Sequence, residues 1–144
     1  MNERYFQFGR FRVLAEIERG AGEEGAIYKA VCEEDGFDGV AVGTMVALKT
    51  MKVESEDHRV QLQSYAQELM KLVHPGVERC LGYFVEDDAK DRFSRHGVFV
   101  FEWLEGESLK ERLRRESSGL DADEVLRIGE KLLSACQVVL NLMI

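Results

Sequence analysis

Apolar and polar residues alternate along 11–18, with Phe11, Val13, Ala15 and Ile17 on one side and Arg12, Glu16 and Glu18 on the other, the period of a strand with one buried face. A glycine-bearing turn, Gly20-Ala-Gly-Glu-Glu-Gly25, leads into Ala-Ile-Tyr-Lys-Ala-Val-Cys (26–32). That run is rich in β-branched and aromatic residues, which predicts an antiparallel hairpin. Residues 33–43 are acidic and carry glycines, so they read as a surface loop, and the apolar run 44–53 reads as a third, centrally buried strand. From Glu56 to Val73 the apolar spacing switches to three and four residues through Val60, Leu62, Tyr65, Ala66, Leu69, Met70, Leu72 and Val73, which predicts a helix ended by Pro75-Gly76. Strand-like runs at 77–85 and 96–104 flank the charged stretch 86–95, a solvated hairpin loop. Leu109–Arg115 then forms a short basic helix, and Asp121 or Asp123 caps a longer one beginning near Glu124. The pattern predicts an α+β fold: a five-stranded antiparallel sheet with one major helix, then further helices, without internal repeats or low-complexity segments.

Composition narrows the function classes. A chain of 144 residues with 45% hydrophobic content can bury a core as one globular unit. The net charge of −8, from 27 acidic and 19 basic residues with no Lys/Arg block, disfavours nucleic acid and anionic membranes as partners. Cys32, Cys80 and Cys136 are odd in number and far apart, which points to neither a disulfide frame nor a zinc site and suits a reducing compartment. The first ten residues lack the apolar core of a signal peptide and no run has the length of a membrane span, so the expected location is the cytoplasm.

The glycine turn acquires chemistry only from its neighbours. Alone it reads as an ordinary hairpin turn. A dinucleotide-binding loop would lead into a helix, whereas residues 26–32 read as a strand. A glycine loop between antiparallel strands instead lets backbone N–H groups approach phosphates closely. Lys49 sits on an otherwise apolar strand, either as an edge lysine reaching water or as a cation awaiting an anion. Glu68, on the following amphipathic helix, reads either as a solvent-facing residue or as an inward partner of Lys49. Taken together the three make a phosphate-handling device in which glycines cover a triphosphate, the lysine contacts it and the glutamate holds the lysine.

The chain resembles the protein kinase superfamily. The residues carrying the resemblance are Gly-Ala-Gly-Glu-Glu-Gly-Ala-Ile-Tyr-Lys-Ala (20–30) as the glycine loop and its strand, Val-Ala-Leu-Lys (46–49) as the lysine strand, residues 67–77 as the end of the regulatory helix with its His-Pro turn, and 99–113 as the hinge. The wording Trp-Leu-Glu-Gly-Glu-Ser-Leu is similar to bacterial serine/threonine kinases. The resemblance implies an N-terminal leader (1–10), an ATP-binding lobe (11–101), a hinge (102–108) and the start of a helical lobe (109–144). It implies a nucleotide site of Gly20, Gly22, Gly25, Ile27, Ala47, Lys49, Glu68, Phe101, Glu102, Leu104 and Ser108, with Phe101 as gatekeeper, Glu102 and Leu104 offering backbone groups to adenine, and Ser108 near the ribose. Its cofactors would be ATP and Mg2+, and its further partner a protein substrate.

Departures accompany the likeness. Arg19 stands before the first glycine where the family has an apolar residue, and a register with a two-residue insertion keeps Gly20 and Gly25 but not Gly22. Glu23 and Glu24 would oppose triphosphate charge. Complete family domains are nearly twice as long; the catalytic loop and Asp-Phe-Gly segment, which hold the base and the magnesium ligands, are missing, so no catalytic residue is assigned. The expected reading is a kinase ATP-binding portion, inactive alone, whose parent phosphorylates protein serine or threonine; the alternative is a non-catalytic, pseudokinase-like module for a nucleotide or partner. Val125, Ile128, Leu132, Leu133, Val139, Leu140 and Met143 of the last helix would be left bare, favouring self-association.

Overall fold

The computed structural model describes residues 7–20, 25–34, 37, 39–87 and 95–143, with the side chains of 142 and 143 left aside. The chain forms two compact units, one from the described residues of Met1–Lys71 with Arg79–Trp103, the other from Leu72–Glu78 with Leu104–Ile144.

The first unit is built on a six-stranded sheet with order β1-β2-β3-β4-β6-β5, from β1 (Gln7–Phe8), β2 (Phe11–Arg19), β3 (Ala26–Cys32), β4 (Met45–Val53), β5 (Cys80–Asp87) and β6 (Arg95–Glu102). All pairings are antiparallel. The five expected strands are present, and β1 adds a sixth inside the stretch read as a leader, pairing Gln7 with Arg12 and Phe8 with Phe11. Two residues are too few to display a period, so only the turn at Gly9, with φ of 51°, and the bond from Gly9 N–H to Glu86 Oε1 (2.9 Å) reveal it.

Strand β2 departs from its simple alternation. Register shifts between Val13 and Ala15 and again between Glu16 and Glu18 move its side chains between faces, so Phe11 is buried while Ile17 is 53% exposed. Strand β3 keeps the period, burying Ala26, Tyr28, Ala30 and Cys32. These join Val46, Leu48, Val98 and Val100 in the larger core, closed by Phe8 and Phe11 and bordered by Phe37 and Phe84.

Helix α1 (Glu56–Lys71) covers the opposite face, where Leu62, Ala66 and Phe99 form a second core with Val53, Leu69, Tyr83 and Phe101 around it. The spacing 62, 66, 69 is one helical stripe, and that stripe sets the rotation of the helix.

In the second unit, α2 (Leu109–Arg115) opens with a capping box: Glu111 N–H donates to Ser108 Oγ (3.1 Å) and Ser108 N–H to Glu111 Oε2 (2.8 Å). Asp121 caps α3 (Ala122–Met143) by accepting from Glu124 N–H at 2.9 Å, which decides between the two expected caps. Arg112 pairs with Glu116 and Glu124 and so ties the two helices together. His74 Nδ1 accepts from Gly76 N–H (2.9 Å), which leaves Nε2–H to donate to Ser134 Oγ (3.0 Å).

The capping box yields a first prediction. Ser108→Ala is expected to lower stability by about 1 kcal/mol, read by thermal denaturation, because an orphan N–H at the start of α2 loses its acceptor. The Ser108 backbone N–H also holds the Glu111 carboxyl below its usual range. A lowered folded value means that this contribution is present above the unfolded carboxyl's pKa and is lost as pH falls through the folded one. Glu111→Gln should therefore flatten the acid limb of the stability curve, and an unchanged acid limb would contradict this.

Candidate functional site

Residues paired directly across an antiparallel ladder share a face of the sheet. Two rows therefore run side by side on the α1 face: Ile27, Lys49, Phe99 and Tyr83 in one, Lys29, Ala47, Phe101 and Cys80 in the other. Of the residues expected from sequence, Ile27, Ala47, Lys49 and Phe101 are thus gathered on adjacent strands. Lys49 is half-buried and its Nζ lies 4.3 Å from the centroid of the Phe101 ring. Lys29 places its own Nζ 4.6 Å from the centre of Trp103. Two cations seated over rings on one apolar face form a surface suited to a ligand that is anionic at one end and flat and aromatic at the other.

The glycine turn closes at its base, where Gly20 N–H donates to Gly25 carbonyl at 2.9 Å. Gly22 lies outside the described residues. Gly25 has a packing role that the sequence does not display: a Cβ there would lie 1.4 Å from the Thr50 carbonyl oxygen. The Thr50 hydroxyl, buried, meets Ala26 N–H at 3.2 Å and Ala26 carbonyl at 3.3 Å, so the start of β3 is pressed onto β4. Arg19, the polar residue at the loop's base, bonds Glu16 (2.9 and 3.0 Å) and the Tyr28 hydroxyl (3.3 Å), latching β2 to β3. That ion pair also lowers the Glu16 pKa.

Glu68 does not pair with Lys49 in this structure. Its carboxylate bonds Lys71 Nζ at 2.9 Å, three residues along the same helix, and the side chain is 56% exposed. The physical reason is rotation: two residues beyond buried Ala66, Glu68 is turned about 200° around the axis from it. Leu62 and Ala66 of α1 pack against Phe99 of the Lys49 row, and Tyr65 joins them, its ring meeting Phe99 edge-on with centroids 6.1 Å apart. In the sequence Tyr65 reads only as an apolar position of the helix.

Glu102 is turned to the other face, paired with Val46; its side chain accepts from Arg79 N–H and its own N–H donates to the Arg79 carbonyl, both at 3.0 Å. Leu104 and Ser108 belong to the second unit, where Leu104 is exposed and Ser108 caps α2. The signal for that cap, Ser-x-x-Glu at 108–111, was readable in the sequence.

Among the described residues no three His, Cys, Asp or Glu side chains converge as a metal site. No described helix is long and apolar enough to cross a membrane.

The family described as protein tyrosine and serine/threonine kinase matches residues 14–140. Two relatives from Arabidopsis thaliana, the serine/threonine-protein kinases PBL35 and PBL34, are each 30% identical over 100 residues, which is 68% of this chain. The match covers 19% of either relative's length.

Proposed function

Because this chain belongs to the protein tyrosine and serine/threonine kinase family, we propose that its first unit grips ATP and forms part of a protein kinase domain whose whole protein transfers the γ-phosphoryl group to a serine or threonine hydroxyl of a protein. The observation that carries the proposal is the shared sheet face on which Ile27, Ala47, Lys49 and Phe101 stand in neighbouring rows with the Lys49 ammonium over an aromatic ring. In this role the lysine meets phosphate oxygens, and Ile27, Ala47 and Phe101 offer apolar surface to the base. The glycine turn whose base Gly20 and Gly25 close is proposed to cover the triphosphate. Mg2+ would balance the nucleotide's charge when bound. The 144 residues are proposed to bind without transferring phosphate. The three cysteines are free thiols, in keeping with the cytoplasm as the proposed location.

Titration of the purified chain with a fluorescent ATP analogue tests the grip: saturable binding displaced by ATP is expected, and its absence from a folded sample would refute the proposal. A parallel assay with labelled ATP and a generic protein acceptor is expected to show no transfer; steady transfer abolished by Lys49→Ala would overturn the inactivity. The ion pair of Glu68 with Lys71 favours a second reading, a non-catalytic module that holds nucleotide or a partner. A longer protein containing this stretch decides between them, since Lys49-dependent transfer supports the kinase and binding without transfer supports the module.

Val125, Leu132, Leu133 and Leu140 of α3 are all more than half exposed. Self-association of the 144-residue chain through a second copy's α3 is the expected consequence, each buried aliphatic side chain contributing about 1.5–3 kcal/mol. Sedimentation velocity should show association rising with concentration and weakened by Leu133→Glu; a monomer at all concentrations would refute it.

A further inference from the structure

The side of α1 turned toward the Lys49 row carries a ring where a carboxylate was expected. Tyr65 meets Phe99 at an interplanar angle of 72°, and Tyr83 reaches the same ring from β5 with centroids 4.8 Å apart. Phe99, 4% exposed, thus contacts two tyrosine rings as well as Leu62 and Ala66. It is also the direct cross-strand partner of Lys49, which brings its Cβ within about 5 Å of the foot of the lysine side chain. Two residues further along β6, Phe101 receives the ammonium over its face at 4.3 Å. Lys29, the other described cation in these two rows, is seated over Trp103. Glu68, the carboxylate expected from the helix, is bound to Lys71.

We propose that Tyr65 is the positioning residue for Lys49: acting through Phe99, its ring fixes the wall along which the lysine stem runs, so that the ammonium is aimed by aromatic rings rather than by a carboxylate on α1. An edge-on contact restricts how Phe99 can tilt, and the tilt of Phe99 sets the space left for its cross-strand neighbour. A lysine oriented in this way keeps its geometry when Glu68 is neutralised and loses it when the ring at 65 is removed. The functional meaning of this arrangement rests on Lys49 being the residue that meets nucleotide phosphates; the ring arrangement itself does not.

Carbon-13 reductive methylation of the lysines, with the Lys49 signal assigned by its loss in Lys49→Arg, reads the environment of this one side chain. In Tyr65→Ala the Lys49 signal is expected to move toward those of the exposed lysines, in Tyr65→Phe to stay near its original position, and in Glu68→Gln to stay while the Lys71 signal moves. Tyr65 is 57% exposed, so these substitutions leave the core in place. The proposal is overturned if Tyr65→Ala leaves the Lys49 signal unmoved, if Tyr65→Phe behaves like Tyr65→Ala, or if Glu68→Gln moves Lys49 as far as Tyr65→Ala does. Adding millimolar ATP to the unsubstituted chain reads the nucleotide role separately: a Lys49 signal that ignores ATP refutes that role, whatever the position-65 variants show.

Discussion

Gly25→Ala is expected to destabilise this chain by about 3 kcal/mol or more, lowering the thermal midpoint by upward of about 10 °C for a domain of this size. The new Cβ would fall 1.4 Å from the Thr50 carbonyl oxygen and 2.5 Å from its carbonyl carbon, both backbone atoms of the central strand β4. No side-chain rotation can relieve that overlap. Either β3 moves away from β4, breaking the Thr50 hydroxyl contacts with Ala26, or the loop base closed by Gly20 and Gly25 opens. Gly129→Ala is the matched control: within α3 its added methyl meets nothing within 4 Å, so about 1 kcal/mol of stabilisation is expected from helix propensity. Equal melting curves for Gly25→Ala and the unsubstituted chain would show that the loop base is not seated as described.

Millimolar ATP should raise the thermal midpoint of the unsubstituted chain and leave that of Lys49→Ala unchanged. A ligand that binds only the folded state adds about 2.7 kcal/mol when present at a hundredfold excess over its dissociation constant, several times the contribution of an isolated surface ion pair. Without ligand the substitution removes a cation–π contact with Phe101, worth about 0.5–1 kcal/mol at a partly exposed position, and the ligand-free melting curve of the variant is the baseline for the comparison. An equal rise in both proteins would place nucleotide binding elsewhere. No rise in either would leave the family membership intact while removing ATP from the function of these 144 residues.

Much of the fold was legible because its signals are local. The hairpin Phe11–Cys32, the strand at Met45–Val53, the helix over Glu56–Lys71 and the paired strands Cys80–Asp87 and Arg95–Glu102 each show their own hydrophobic period, and the capping chemistry of Asp121 or Asp123 announces α3, the structure choosing Asp121. Strand β1 was not legible because two residues carry no period. The bulges of β2 were hidden for a related reason: alternation continues in the sequence while the ladder slips, so Ile17, apparently buried, faces solvent.

What the sequence determined by itself was the order of elements and the presence on β3, β4 and β6 of Ile27, Ala47, Lys49 and Phe101. Strand period puts alternate residues on one face whatever surrounds them. Only the tertiary structure decided their partners. Burial of Leu62, Ala66 and Leu69 against the sheet fixed the rotation of α1, and with it sent Glu68 to Lys71 and Tyr65 to Phe99. The approach of β3 to β4 likewise made Gly25 obligatory, since the space denied to its Cβ belongs to a strand twenty-five residues away in sequence. Period is a property of neighbours along the chain, whereas rotation and clearance depend on what packs against the element, and that is settled only when the core closes.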